Sequence, residues 1–112
     1  MVMETVTEEN LHSIAETLGA QPGVVRVILF GSRARGTASE GSDVDLLVVC
    51  EGRPDKAEMT NRLRQLLPRR RFGIDLLVMG EQQFREEKDI VGSIAFPANK
   101  YGRVLHERSP IR

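Results

Sequence analysis

The stretch Leu29-Phe30-Gly31-Ser32-Arg33-Ala34-Arg35-Gly36-Thr37-Ala38-Ser39-Glu40-Gly41-Ser42-Asp43-Val44-Asp45-Leu46-Leu47-Val48-Val49 decides how the rest of the chain is read. An apolar run ends at Gly31-Ser32, a polar loop with two arginines follows, and the chain resumes as Asp43-Val44-Asp45 leading into Leu46-Leu47-Val48-Val49. Side chains alternate along a strand, so Asp43 and Asp45 project from one face, about 7 Å apart along the backbone. A second apolar run, Phe72-Gly73-Ile74-Asp75-Leu76-Leu77-Val78-Met79, is interrupted by a single Asp. If the two strands lie close in one sheet with Asp75 facing the same way, three carboxylates converge. Two like charges about 4 Å apart repel by about 4 kcal/mol at an effective dielectric of about 20, and three such terms are a large fraction of a small domain's stability. A cation therefore belongs among them, and an all-oxygen donor set selects Mg²⁺ or Mn²⁺. The alternative partner for carboxylates inside apolar runs is arginine.

The remaining elements follow from local signals. Thr5 and Glu8 have capping-box spacing, and Leu11, Ile14, Ala15 and Leu18 continue at helical intervals until Gly19 stops the helix. Val24 to Phe30 is β-branched and apolar and predicts a buried strand. Ser32 to Arg35 is the first turn of a short helix stopped by Gly36, and Thr37 to Ser42 is an exposed loop. The second strand runs from Asp43 to about Cys50. Pro54 suits the first turn of a helix with Met59, Leu63, Leu66 and Leu67 at helical spacing up to Pro68. The third strand covers Phe72 to Met79 and closes at Gly80. From Glu81 a helix is expected with Phe84, Val91, Ile94 and Ala95 on one side, weakened by Gly92 and ended by Pro97, before a short strand over Arg103 to Glu107. These elements predict an α/β (α+β) fold, a mixed β-sheet of three to four strands flanked by helices. The sheet is mixed because the connection from Gly31 to Ser42 is marginal for a parallel crossover.

Sixteen basic against sixteen acidic residues give a formal charge of zero, so no global field attracts nucleic acid, and contact with polyanions has to be local. The length fits a single domain over residues 1–112. The lone cysteine, Cys50, ends an apolar strand and reads as a core thiol. No apolar run approaches the length of a membrane span and the N-terminus carries no signal-like pattern, so a cytoplasmic protein without membrane association is expected. Arg62, Arg64 and Arg69 to Arg71 form a basic cluster that reads as a solvated face or as a contact for RNA or an acidic partner.

A glycine followed by Ser at a strand-to-helix break lets a phosphate approach free helix N–H groups and the hydroxyl, so Gly31 and Ser32 are candidate nucleotide-binding residues. Arg33 and Arg35 either add phosphate contacts or form a plain exposed turn. Combined with a carboxylate triad, this describes a site that binds a triphosphate through two metal ions and displaces pyrophosphate in line. Asp43 and Asp45 would ligate both ions, and Asp75 would complete one and accept the acceptor's proton. There is no G-x-x-x-x-G-K-[ST], no G-x-G-x-x-G after the first strand and no kinase catalytic loop, and His12 and His106 are too isolated for zinc.

Gly31-Ser32, ten intervening residues, Asp43-Val44-Asp45 and a third Asp in a later apolar strand resemble the signature of the DNA polymerase beta-type nucleotidyltransferase superfamily. Within it, the stretch GSRARGTASEGSDVDLLVV and the tail IVGSIAFPANKYGRVLHE resemble the minimal nucleotidyltransferases of prokaryotes, so the resemblance covers nearly the whole chain. It implies the polymerase beta-like fold, Mg²⁺-dependent transfer of a nucleoside monophosphate from a nucleoside triphosphate, and Asp43, Asp45 and Asp75 as catalytic metal ligands. It also implies a separate helical partner of HEPN type, as in toxin–antitoxin pairs where AMP is moved from ATP to a tyrosine hydroxyl of the toxin. One departure is His106, where similar tails commonly carry an aromatic hydroxyl residue. The expected function is adenylylation of a partner protein's hydroxyl, as an antitoxin. The alternatives are a non-catalytic antitoxin acting by occlusion, or nucleotidyl transfer to RNA or a small molecule. The acceptor, the nucleobase and any homo-oligomerisation are left open by the residues.

Overall fold

In the computed structural model, which describes residues 2–39 and 41–108, strand β1 (Val24–Phe30) lies between β2 (Val44–Cys50) and β4 (Arg103–Glu107), antiparallel to both. Strand β3 (Ile74–Gly80) runs parallel to β2 on its other side, so the sheet is mixed and ordered β3-β2-β1-β4. The connection between β1 and β2, marginal for a crossover and holding only the one-turn segment Ser32–Arg35, gives an antiparallel pair, whereas the β2-to-β3 link holds α3 (Lys56–Leu66) and gives the parallel one. Glu40, inside the loop expected over Thr37 to Ser42, lies outside the described residues.

Two apolar layers flank the sheet. On one face α1 (Glu8–Gly19) and α3 pack Leu11, Ile14, Ala15, Leu18 and Leu63 against Val27, Leu29, Val44, Leu46, Val48, Ile74, Leu76 and Val78. On the other, α4 (Glu81–Glu87) and α5 (Ala95–Tyr101) place Phe84, Ala95 and Ala98 over Ile28, Leu47, Val49 and Met79. Cys50 is buried in the first layer, and burial pushes its thiol up to about 11, as befits a core residue. Among the described residues no helix is long and apolar enough to cross a membrane.

Several boundaries differ from the sequence-based expectation, each for a local reason. Thr7, not Thr5, caps α1: the Asn10 N–H donates to Thr7 Oγ1 at 3.0 Å. Glu8 is drawn instead to Arg103, which donates through both terminal nitrogens and holds the Glu8 carboxyl below the usual range. Asp55 caps α3 by accepting from the Glu58 N–H at 3.1 Å, leaving Pro54 outside the helix. The single helix expected from Glu81 to Pro97 is two helices. Gly92 turns the chain at φ 100°, and the Ser93 hydroxyl joins the two, donating to the Glu87 carbonyl at 2.7 Å and accepting from the Phe96 N–H at 3.1 Å. Pro97 lies in the first turn of α5, where a helix needs no N–H, so it starts this helix rather than ending one. Val91 and Ile94, expected on the core side, are 80% and 50% exposed.

The tail is seated on α1 by shape. A Cβ at Gly19 would collide with the His106 ring, so the glycine at the helix end makes the slot into which β4 docks. Gly19→Ala should therefore destabilise the fold by about 1–2 kcal/mol, despite the better helix propensity of Ala. In a His106→Ala background the same change should be neutral or stabilising. Urea unfolding of the four proteins in this cycle checks it, and a more stable Gly19→Ala in the His106 protein contradicts the packing account.

Candidate active site

The second apolar layer does not cover the whole sheet face. Along β2 the residues on that face pass from fully buried Val49 and Leu47 to half-buried Asp45, then to exposed Asp43 just before the strand. Along β3 they pass from Met79, 4% exposed, through Leu77, 37% exposed, to exposed Asp75. Helices α4 and α5 have seven residues each, and the carboxylates occupy the end of the face where the cover thins.

Register brings the acids together. Asp45 and Asp75 are Cα partners in the parallel β2–β3 pair, so their side chains stand side by side on one face. Burial holds the Asp45 carboxyl above the ordinary carboxylate range, and the neighbouring Asp75, by charge and hydrogen bond, and Asp43, by charge, push the same way. Asp43 reaches this group from one step further along: a Cβ at Gly73 would collide with the Asp43 carboxylate, so the glycine makes room for it. Gly73 is a site residue the sequence reading missed, and its signal was a glycine two positions before a strand Asp, a mark of close approach. Phe30, partner of Asp45 across the β1–β2 ladder, adds a half-buried ring beside it.

Gly31 belongs to the same group. Its backbone, at φ 76° and ψ −157°, lies in a region essentially reserved for glycine, and a Cβ there would collide with Asp45 Oδ2. The Gly31 carbonyl then accepts from the N–H groups of Ala34 and Arg35, both at 3.2 Å, starting α2 (Ser32–Arg35), which Gly36 ends in the left-handed conformation. Ser32 is half-buried at the first position of this turn, beside Gly31. Arg33 is turned onto the loop, donating to the Ser42 carbonyl from Nε at 3.2 Å and from a terminal nitrogen at 2.8 Å. It braces the segment that leads into Asp43. Arg35 is exposed. In the basic cluster, Arg71 pairs with Glu4 and Arg62 with Glu58.

Among the described residues no ion pair engages Asp43, Asp45 or Asp75, so the arginine alternative for these carboxylates is not used. Among the described residues no group of three or more acidic, imidazole or thiol side chains is arranged as it stands to hold a metal ion. Asp45 and Asp75 are direct neighbours, with Asp43 beside Gly73 and close enough to act on Asp45 by charge. The donor chemistry fits a hard divalent cation: carboxylate oxygens only, on one face, without a basic residue between them.

Residues 11–101 match the sequence profile of the Nucleotidyltransferase domain family. A Methanocaldococcus jannaschii protein provisionally named a protein adenylyltransferase is 40% identical over 55 residues, 49% of this chain and 36% of that one. The chain thus spans about a third of the length of that curated relative. The crystal structure of a provisionally named nucleotidyltransferase from Sulfolobus solfataricus superposes with a TM-score of 0.63 at 26% identity, covering 90% of this chain and 80% of that one. A toxin–antitoxin solved with AMP-PNP has the same fold, with a TM-score of 0.55 at 20% identity over 92% of this chain and 75% of that one.

Because Asp45 keeps its proton to higher pH when folded, its ionisation opposes folding. This cost is absent below the ordinary Asp range, grows as pH rises through it and is complete above the raised folded value. Asp45→Asn should therefore be more stable than the wild type at pH 7 without divalent ions, by about 1 kcal/mol for a pair this open to solvent. The advantage should close as pH falls below the ordinary Asp range. Urea unfolding in EDTA across pH 3–8 measures it, and a variant less stable at pH 7 would count against the electrostatic account.

Proposed function

From the premise that the chain belongs to the nucleotidyltransferase domain family and has its polymerase beta-like fold, we propose that it moves AMP from ATP to a hydroxyl of a partner protein. The observation that carries this reading is the side-by-side placement of Asp45 and Asp75 with Gly31 pressed against Asp45. A phosphate chain entering over Gly31 would lie beside the carboxylates, two sets of anions that only bound cations can bring together. Asp43 and Asp45 would hold the divalent ions, two Mg²⁺ or in their place Mn²⁺, and Asp75 would complete the set. Bound there, the ions would neutralise the triphosphate and the charge that develops on the leaving oxygen.

The exchange itself is balanced within the two substrates. The acceptor hydroxyl oxygen forms a bond to the α-phosphorus, the bond to the bridging oxygen breaks, and its electron pair leaves with pyrophosphate. Asp75, exposed and carried by the edge strand β3, takes the hydroxyl proton and returns it to water. Gly31 and Ser32 set the phosphate's approach, and Arg33 acts by bracing the loop before Asp43.

ATP as donor and a protein as acceptor draw support from the relative named a protein adenylyltransferase and from the toxin–antitoxin of the same fold solved with AMP-PNP. A minimal nucleotidyltransferase acting as the antitoxin of a helical HEPN-type partner fits this setting. In a reaction of the protein, Mg²⁺, α-labelled ATP and such a partner, label should pass to the partner. Asp43→Ala and Asp45→Ala should each lower transfer at least about 100-fold. Gly31→Ala should lower it as well while leaving a folded protein weaker by about 1–3 kcal/mol, the cost of its backbone region. Partner neutralisation that survives Asp43→Ala with Asp45→Ala would instead assign a binder acting by occlusion, and label on RNA without labelled protein would assign a nucleic-acid acceptor.

A further inference from the structure

The two edges of the sheet are treated differently. At one edge β4 carries Arg103, His106 and Glu107, and its pairing with β1 is broken by a register shift, features that discourage another strand from adding. At the other edge β3 pairs with β2 without any irregularity, and Ile74-Asp75-Leu76-Leu77-Val78-Met79-Gly80 contains no lysine, no proline and one charge. That charge is Asp75.

The hydrogen-bond phase of β3 follows from one bond. The Val44 N–H donates to the Gly73 carbonyl at 2.9 Å, so in a parallel ladder the main-chain groups of Asp75, Leu77 and Met79 point toward β2. Those of Ile74, Leu76 and Val78 point outward along the free edge. Beside this edge runs an open groove whose other wall is α3, at Ala57, Thr60 and Asn61. Leu77, on the same face as Asp75, lines it with over a third of its surface exposed.

We propose that the acceptor reaches the site as an extended peptide segment that adds to the free edge of β3, with its hydroxyl residue opposite Asp75. The proposal rests on the nucleotidyl-transfer reading above and names how its substrate is presented. A residue paired opposite Asp75 has its side chain on the same face, with Cβ atoms about 4.5–5.5 Å apart. A hydroxyl on that side chain meets the carboxylate that takes its proton, on the opposite side of Asp75 from Asp45. Main-chain bonds along Ile74, Leu76 and Val78 supply affinity without a demand on side-chain sequence, as in other strand additions. A second copy of this chain does not suit the position. Its own β3 has no Ser, Thr or Tyr, so edge-to-edge pairing covers Asp75 and brings no acceptor.

The test uses three synthetic seven-residue peptides of Val and Thr with a central Tyr: one unmodified, one N-methylated at Tyr and the residues two away, and one N-methylated at the residues one and three away. Each is incubated with the protein, Mg²⁺ and α-labelled ATP, and amide exchange of the protein is followed by NMR. The unmodified peptide should accept label and slow exchange at Leu76 and Val78. One methylated peptide should retain transfer and the other should lose at least about 10-fold, because only one set of amides faces β3. Equal rates for the two methylated peptides, or transfer without slowed exchange at Leu76 and Val78, overturns the proposal. Slowed exchange that appears without peptide and grows with protein concentration also overturns it, by assigning the edge to a second copy. No transfer to any peptide while the protein partner is labelled normally removes the edge route alone, whereas no label on any acceptor removes the nucleotidyl-transfer reading and this proposal with it.

Discussion

The alignment of Asp45 with Asp75 is the constraint on which the rest of the molecule depends. Two acids held side by side repel, and the fold keeps them there through the apolar register of the strands that carry them. On the opposite face of the same strands, Val44, Leu46 and Val48 are matched one for one with Ile74, Leu76 and Val78 in the layer under α1 and α3. A slip of one residue would turn β3's apolar set toward the wrong face. A slip of two would set Asp45 opposite Gly73 or Leu77 and move the carboxylates apart by about 7 Å. The same apolar contacts that stabilise the sheet therefore position the acids.

The two faces divide the labour. The first layer is continuous, with helices of twelve and eleven residues, and its strand residues are nearly all sealed. The second is made by two seven-residue helices joined through Ser93, and it seals only the half of the face around Leu47, Val49 and Met79. Strand alternation sends Asp43, Asp45 and Asp75 to this second face, at its uncovered end. A longer α4 or α5 would have buried charge without compensation.

Most of this arrangement was legible in the residues. The strands announce themselves by β-branched runs, and the acids by interrupting them. The antiparallel pairing of β1 and β2 agrees with a connection that is marginal for a crossover. What was not legible depended on contacts distant in sequence. Glu8 has the spacing of a capping residue but is drawn to Arg103, which only the folded sheet brings near. Pro97 carries the same local signal whether it ends one helix or begins the next, and the choice was made by the Ser93 hydroxyl and Gly92. Arg33 next to a phosphate-type turn carries no local sign of the contact its guanidinium makes with the Ser42 carbonyl once the loop closes.

Glycine settles the distances at the site more than any side chain does. Gly31 and Gly73 stand at the points where backbone must touch the carboxylates of Asp45 and Asp43, and in each case a single added carbon would meet an oxygen. Two acids are thereby pinned against main chain on one side. Nothing within the described ion pairs relieves their charge, although arginine is abundant in the chain and is spent on Glu4, Glu8, Glu51 and Glu107 elsewhere. A fold selected for stability alone would have placed one of those arginines here. Among the described residues these carboxylates are left without a basic partner at the thin end of the second layer, an arrangement that costs the free protein stability.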